Sequence, residues 1–167
     1  ATTSAASSAL AKLLAELVPG LSTLSFDIPT LNKTALVPRK DYEANCLVGG
    51  SLQLAAGTML LIDETVMDAG TLVDRGVKNV QALNALLTQQ KLAIDFSYFH
   101  VDFPMDVTLI SLSVSKSMLE QGVACLIPLR VAPNFAPPAG ALQQGPLLQA
   151  ARTYIGLAAR GVAGGIP

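Results

Sequence analysis

The sequence predicts an α/β fold: a mostly parallel β-sheet flanked by helices, with an inserted β-hairpin. Three observations lead there. The run "GTMLLID" at 57–63 is short and continuously apolar, as a strand covered by helices on both faces must be. The segment "NVQALNALLTQQ" at 79–90 places Val80, Leu83, Leu86 and Leu87 at helical spacing. Beyond it, "KLAIDFSYFHVDFP" at 91–104 holds two alternating runs, Leu92-Ile94-Phe96 and Phe99-Val101-Phe103, which read as a hairpin. Buried strands separated by helices form parallel, doubly wound sheets.

In chain order, residues 5–18 set Leu10, Leu13, Leu14, Leu17 and Val18 on one helical stripe, stopped by Pro19-Gly20. "LSTLSFDI" at 21–28 alternates loosely and reads as a strand. Pro29 and Pro38 bracket a loop. Residues 41–55 read as a helix or helical turn broken at Gly49-Gly50, then a short strand. The acidic strand comes next, followed by a polar loop at 64–76, the helix at 79–90 and the hairpin. "DVTLISLS" at 106–113 and "VACLIPLRV" at 123–131 are expected strands. Residues 133–145 are a Pro/Gly-rich linker, and a final helix spans 146–160 with Leu147, Leu148, Ala151, Ile155 and Leu157 on its apolar side. The expected division is a core at 1–132, a linker at 133–145 and a C-terminal helix and tail at 146–167.

Composition narrows the function classes. The chain has 167 residues, 51% hydrophobic and 14% charged, which suits one domain with a buried core and not a disordered chain. No run of about 18 apolar residues exists, so no membrane partner is expected. The N-terminus has no basic region before an apolar core, so no signal peptide is expected. It also lacks an initiator Met, and the chain is expected to be a fragment of a larger protein. Eleven basic residues against twelve acidic ones give a net charge of −1. Nucleic-acid binders draw most of their affinity from neutralising phosphates with a basic excess, so no direct nucleic-acid binding is expected. Cys46 and Cys125 match no metal spacing and read as two reduced thiols. His100 is the single histidine, which leaves little for a catalytic triad or a multi-histidine metal site. Beside it, Asp95 and Asp102 read as a solvated strand edge. No metal ligands, cofactor or catalytic residues are assigned.

One feature points to chemistry. The strand "MLLIDE" ends in Asp63-Glu64. In a P-loop ATPase such a strand ends in an Asp that holds magnesium, and a following Glu orients the attacking water. Apolar strands ending in Asp also occur where the acid only caps the next element. The partner motif G-x-x-x-x-G-K-[ST] is absent from this sequence. Its nearest approach, Lys116-Ser117, has no preceding glycine and lies downstream of the acidic strand.

The stretch "CLVGGSLQLAAGTMLLIDET" at 46–65 resembles the approach to the acidic strand of MCM helicase ATPase domains. The helix, hairpin and strand that follow resemble that fold's helix, pre-sensor hairpin and sensor strand, in the same order. A closer resemblance is to the MCM complex-binding protein family, built on a degenerate MCM/AAA+-like core. It rests on "VPRKDYEAN" (37–45), "LLIDET" (60–65), "GVKNVQAL" (76–83), "QKLAIDFSYFHVDFPMDV" (90–107) and "SKSML" (115–119).

This resemblance implies a P-loop/AAA+-like sheet and a non-catalytic module that binds MCM helicase subunits. It further implies nuclear location, an indirect association with chromatin, regulation of the helicase on chromatin in DNA replication, and a role in sister-chromatid cohesion. Asp63 and Glu64 are then a Walker-B-like remnant, and the chain is not an enzyme. The sensor-like strand ends in "SLSVSKS" and lacks the Asn of an active sensor. The alternative is a P-loop ATPase whose phosphate loop lies upstream of this fragment. The aromatic residues Phe96, Tyr98 and Phe99 read either as hairpin packing or as a partner surface, since aromatics anchor interfaces. Arg39 and Lys40 read as a solvated turn or as part of the same surface. Lys91 is the hairpin's lone basic residue, which argues against DNA translocation.

Overall fold

The computed structural model describes residues 2–114, 116–130 and 145–163. Helix α1 (Thr2–Leu17) leads through Pro19-Gly20 into strand β1 (Leu21–Ser25). Strand β1 pairs in parallel with β4 (Thr58–Asp63), and β4 with β7 (Val107–Leu112), giving a three-stranded sheet ordered β1-β4-β7. The central position of β4 matches its composition. Leu60, Leu61 and Ile62 are each at most 2% exposed, so both faces of the strand are covered. The register sets Asp63 level with Ser25 on one side and Leu112 on the other, at the carboxyl edge of the sheet.

The expected strand at 21–28 stops at Ser25, and the expected loop between the prolines contains a helix, α2 (Ile28–Lys33). Asp27 caps it, accepting the Thr30 N–H at 2.8 Å on Oδ1 and the Thr30 hydroxyl at 2.8 Å on Oδ2. Pro29 lies in the first turn, where a missing N–H costs nothing. Residues 41–55 are not helical. Strands β2 (Arg39–Asp41) and β3 (Cys46–Val48) form an antiparallel hairpin. Asp41 Oδ1 closes its turn by accepting the N–H groups of Glu43 and Ala44 at 2.9 and 3.0 Å, and Asn45 adopts a left-handed φ of 48°. Leu52 follows as a buried plug and not as part of a strand.

Helix α3 (Asp74–Gln89) begins at Asp74, earlier than its apolar spacing predicts. It packs on α2 through Asn79, which is 2% exposed. The Asn79 Nδ2 donates to the carbonyls of Leu31 and Thr34 at 2.7 and 2.9 Å, satisfying the end of α2. The expected hairpin is present as β5 (Lys91–Asp95) and β6 (His100–Pro104). It joins β2 through a parallel bridge between Arg39 and Asp95, making a second sheet ordered β3-β2-β5-β6.

Gln90 links the two sheets. It sits in the left-handed region at φ 52°, ending α3. Its side-chain amide donates to the Val107 carbonyl and accepts from the Val107 N–H, each at 3.0 Å, while its carbonyl accepts from the Met105 N–H. The core of Phe26, Leu31, Leu36, Leu52, Leu60, Ile62, Leu83, Leu86, Leu92, Val107 and Leu119 draws on both sheets and on α2 and α3.

The expected strand at 123–131 is not formed over its described residues, 123–130. These follow a single 3-10 turn (Glu120–Gly122) and pair with no strand among the described residues. Pro128 removes a ladder donor there. The linker expected at 133–145 lies, except for Gly145, outside the described residues. Helix α4 (Pro146–Ala163) packs against α1, where the Arg152 Nε donates to the Glu16 carbonyl. Among the described residues no helix is long and apolar enough to cross a membrane.

Candidate functional site: the acidic strand end and the paired hairpin tips

The two acids that end β4 have different surroundings. Asp63 is half-buried, and its Oδ1 accepts from the Thr65 N–H at 3.0 Å and the Thr65 hydroxyl at 2.6 Å. This is an Asx-type turn that fixes the first step of the following loop. The Thr65 hydroxyl lies 3.3 Å from that of Ser7, tying α1 to the same corner.

Glu64 is only 7% exposed. Its Oε1 accepts from the hydroxyls of Ser111 at 2.5 Å and Ser117 at 2.6 Å, and its Oε2 accepts from the Met118 N–H at 3.3 Å. Ser111 is on β7, and Ser117 and Met118 belong to the segment that follows it. The Ser117 hydroxyl also accepts from the Leu119 N–H, and Leu119 is buried in the core. Both oxygens of Glu64 are therefore engaged within the chain. The carboxylate that would orient a water in an ATPase here ties the exit of β7 to the end of β4. The residues that show this, Ser111 and Ser117, are not adjacent to Glu64 in sequence, and no local motif reveals the tie.

The remaining sequence-selected residues meet in the second sheet. Phe96 and Phe99 stack at the β5–β6 tip, with ring centroids 4.8 Å apart and planes within 6°. Tyr98 is 89% exposed and meets Tyr42, from the β2–β3 turn, edge to face at 6.2 Å. The Tyr42 hydroxyl donates to the Phe96 carbonyl at 2.7 Å, so the two hairpin tips form one aromatic end. The sequence reading missed Tyr42. Its signal is the tyrosine in "DYEAN", obscured because the pattern of that segment predicts a helix or helical turn.

Side chains alternate along strands, so the register assigns faces. Lys40, Leu47, Leu92, Ile94, Val101 and Phe103 share one face, and Arg39, Asp41, Asp95, His100 and Asp102 share the other. The structure thus separates Arg39 from Lys40. Lys40 lies on the apolar face and its Nζ donates to Asn45 Oδ1 at 2.8 Å. Arg39 is exposed on the polar face.

On that polar face Asp95 is more than a solvated edge. Its side chain is 22% exposed; it pairs with Lys78 of α3 at 3.3 Å, and the His100 Nδ1 lies 3.7 Å away. The Ser97 N–H donates to it at 2.7 Å, and that bond leads the effects that hold its pKa below the ordinary aspartate value. It also steadies Ser97, which adopts a left-handed φ of 65°. On the apolar face, a shallow pocket of about 380 Å³ is lined by Pro38, Leu54, Leu92, Ile94, Phe103 and Met105, among others. Cys46 and Cys125 are both exposed and unpaired.

Comparison with known proteins shows which family this arrangement belongs to. The family model described as "Mini-chromosome maintenance replisome factor" matches residues 1–162. The chain is 41% identical over 129 residues to the mini-chromosome maintenance complex-binding protein of Salmo salar, covering 77% of this chain and 20% of that protein. It is 40% identical over 129 residues to the protein of the same name from Homo sapiens, with the same coverage. For the Drosophila melanogaster protein, identity is 42% over 110 residues, covering 66% and 18%. The chain spans about a fifth of the length of these curated relatives. With a family model covering nearly all of its residues, this chain belongs to the mini-chromosome maintenance replisome factor family, whose curated relatives are named complex-binding proteins.

Proposed function

We propose that this segment is a non-catalytic, MCM/AAA+-like module through which the full protein engages subunits of the MCM complex. The observation that carries the non-catalytic part is the state of Glu64. A water-activating carboxylate must present an oxygen to solvent or nucleotide. Here the group is buried and takes three donors from its own chain. The binding part is supported by the names of the relatives and by the exposed aromatic end of the second sheet. The placement of β7 directly beside β4 supports an AAA+-like ancestry, since the sensor-like strand then flanks the acidic one.

In this reading the protein acts in the nucleus and regulates the association of the replicative helicase with chromatin during DNA replication, with a consequence for sister-chromatid cohesion. Chromatin is reached through the helicase and not by direct contact with nucleic acid. The test is association of the purified full-length protein with purified MCM complex. Association is expected without added nucleotide and unchanged by Mg-ATP, and the full-length protein assayed alone is expected to show no ATP turnover above buffer. Hydrolysis that is lost in Asp63→Asn would instead establish the ATPase alternative.

A further inference from the structure

The outer edge of β6 is the feature that neither the fold nor the acidic strand end uses. Among the described residues β6 pairs only with β5. Two hydrogen bonds fix which of its backbone groups face outward. The Phe96 N–H donates to the Phe99 carbonyl and the Met105 N–H to the Gln90 carbonyl. Hydrogen-bonded pairs alternate with non-bonded ones in an antiparallel ladder. Ile94–Val101 and Leu92–Phe103 therefore bond to each other, while His100 and Asp102 direct N–H and C=O away from β5. Pro104, which has no N–H, protects only the end of this edge.

The side chains along the edge differ by face. Val101 and Phe103 are 38% and 49% exposed on the apolar side, next to the pocket floored by Leu92 and Ile94. Asp102 projects from the opposite side with 57% of its side chain exposed, and the nearest cation, Lys91, is 3.9 Å away. A strand laid along this edge would bury its apolar residues against Val101 and Phe103. On the other face a cation would stand opposite Asp102.

We propose that β6 is a strand-addition site, and that its occupant is an extended segment of an MCM subunit with alternating apolar and basic residues. The backbone of His100 and Asp102 supplies the ladder. Val101 and Phe103 select the apolar positions, and Asp102 selects the basic one. This rests on the MCM-binding reading above and names the surface and the recognition chemistry.

The test uses full-length protein and purified MCM complex, with binding measured by interferometry. Asp102→Pro removes the outward N–H but leaves the groups that pair with β5, and Phe103→Lys places a charge on the apolar strip. Each is expected to weaken binding about tenfold or more, with Gln81→Ala on α3 as an unaffected control. If wild type does not bind, the MCM-binding reading itself fails. If wild type binds and both variants bind equally well, that reading stands and the strand-addition site is wrong. If Asp102→Pro abolishes self-association and leaves MCM binding intact, the edge belongs to a second copy of the chain, which also overturns the proposal. Should Asp102→Pro fail to fold, Phe103→Lys decides, since Phe103 is half-exposed and outside the core.

Discussion

Replacing Glu64 with Gln separates a structural carboxylate from a catalytic one. In this fold Glu64 accepts three hydrogen bonds, two at Oε1 and one at Oε2. Charge-assisted hydrogen bonds are worth about 1.5–3 kcal/mol each, and neutral ones about 1 kcal/mol. A glutamine retains an oxygen for the two serine hydroxyls, at neutral strength. Its NH₂ would face the Met118 N–H, donor against donor, leaving that amide unsatisfied. The carboxylate's own desolvation cost offsets part of the loss, and the net destabilisation is about 2 kcal/mol.

The loss should be local to the segment after β7. Hydrogen exchange on the full-length protein reads it directly: the Met118 and Leu119 amides should exchange about 30-fold faster, since 1.4 kcal/mol is a factor of ten. A residue held for catalysis behaves differently, because neutralising a strained functional carboxylate tends to leave stability unchanged or raise it. Unchanged or slower exchange at Met118, together with a loss of ATP turnover, would refute the structural assignment of Glu64.

Other residues carry comparable expectations. Asn79→Ala takes the side-chain donor from the buried carbonyl of Leu31 and the partly buried one of Thr34 and should cost about 2 kcal/mol, read as a lower urea midpoint; Asn79→Asp should cost more, since its carboxylate faces both oxygens. Gly50→Ala would set a Cβ 2.3 Å from the Leu36 carbonyl oxygen and 2.6 Å from Pro38 N, both backbone, so a loss of about 2–3 kcal/mol is expected in the same assay. Burial pushes the Asp27 carboxyl up, but hydrogen bonds from the Thr30 N–H and the Ser25 and Thr30 hydroxyls outweigh it, leaving its pKa below the ordinary value. Its contribution is therefore fully present above the unfolded pKa of about 4 and is lost as pH falls through the folded one; Asp27→Asn should flatten the stability profile in that acid window.

The legible parts of the fold were those whose pattern is local. Leu60-Leu61-Ile62 announce a covered strand because nothing polar interrupts them, and the alternation from Leu92 to Phe103 announces a hairpin. Strands β2 and β3 are three residues each, too short to show a period, and they depend on Asp41 and Asn45 shaping the turn between them. Pro29 read as a breaker because its position inside a first turn depends on Asp27 capping that turn. At the site, the acids were visible but their partners were not. Ser111 and Ser117 reach Glu64 only through the parallel placement of β7 beside β4, and Tyr42 reaches Phe96 only through the bridge between Arg39 and Asp95.

The Gln90 amide clasp on Val107 has a consequence for how this family can vary. It grips both backbone groups of the first β7 residue, so the β5–β6 excursion leaves and re-enters the chain at one fastened point. Residues added or removed between Asp95 and His100 would leave the register of the parallel sheet unshifted. The hairpin is thus an adjustable arm on a fixed shoulder, free to be lengthened, trimmed or re-tipped while the body that carries it stays the same.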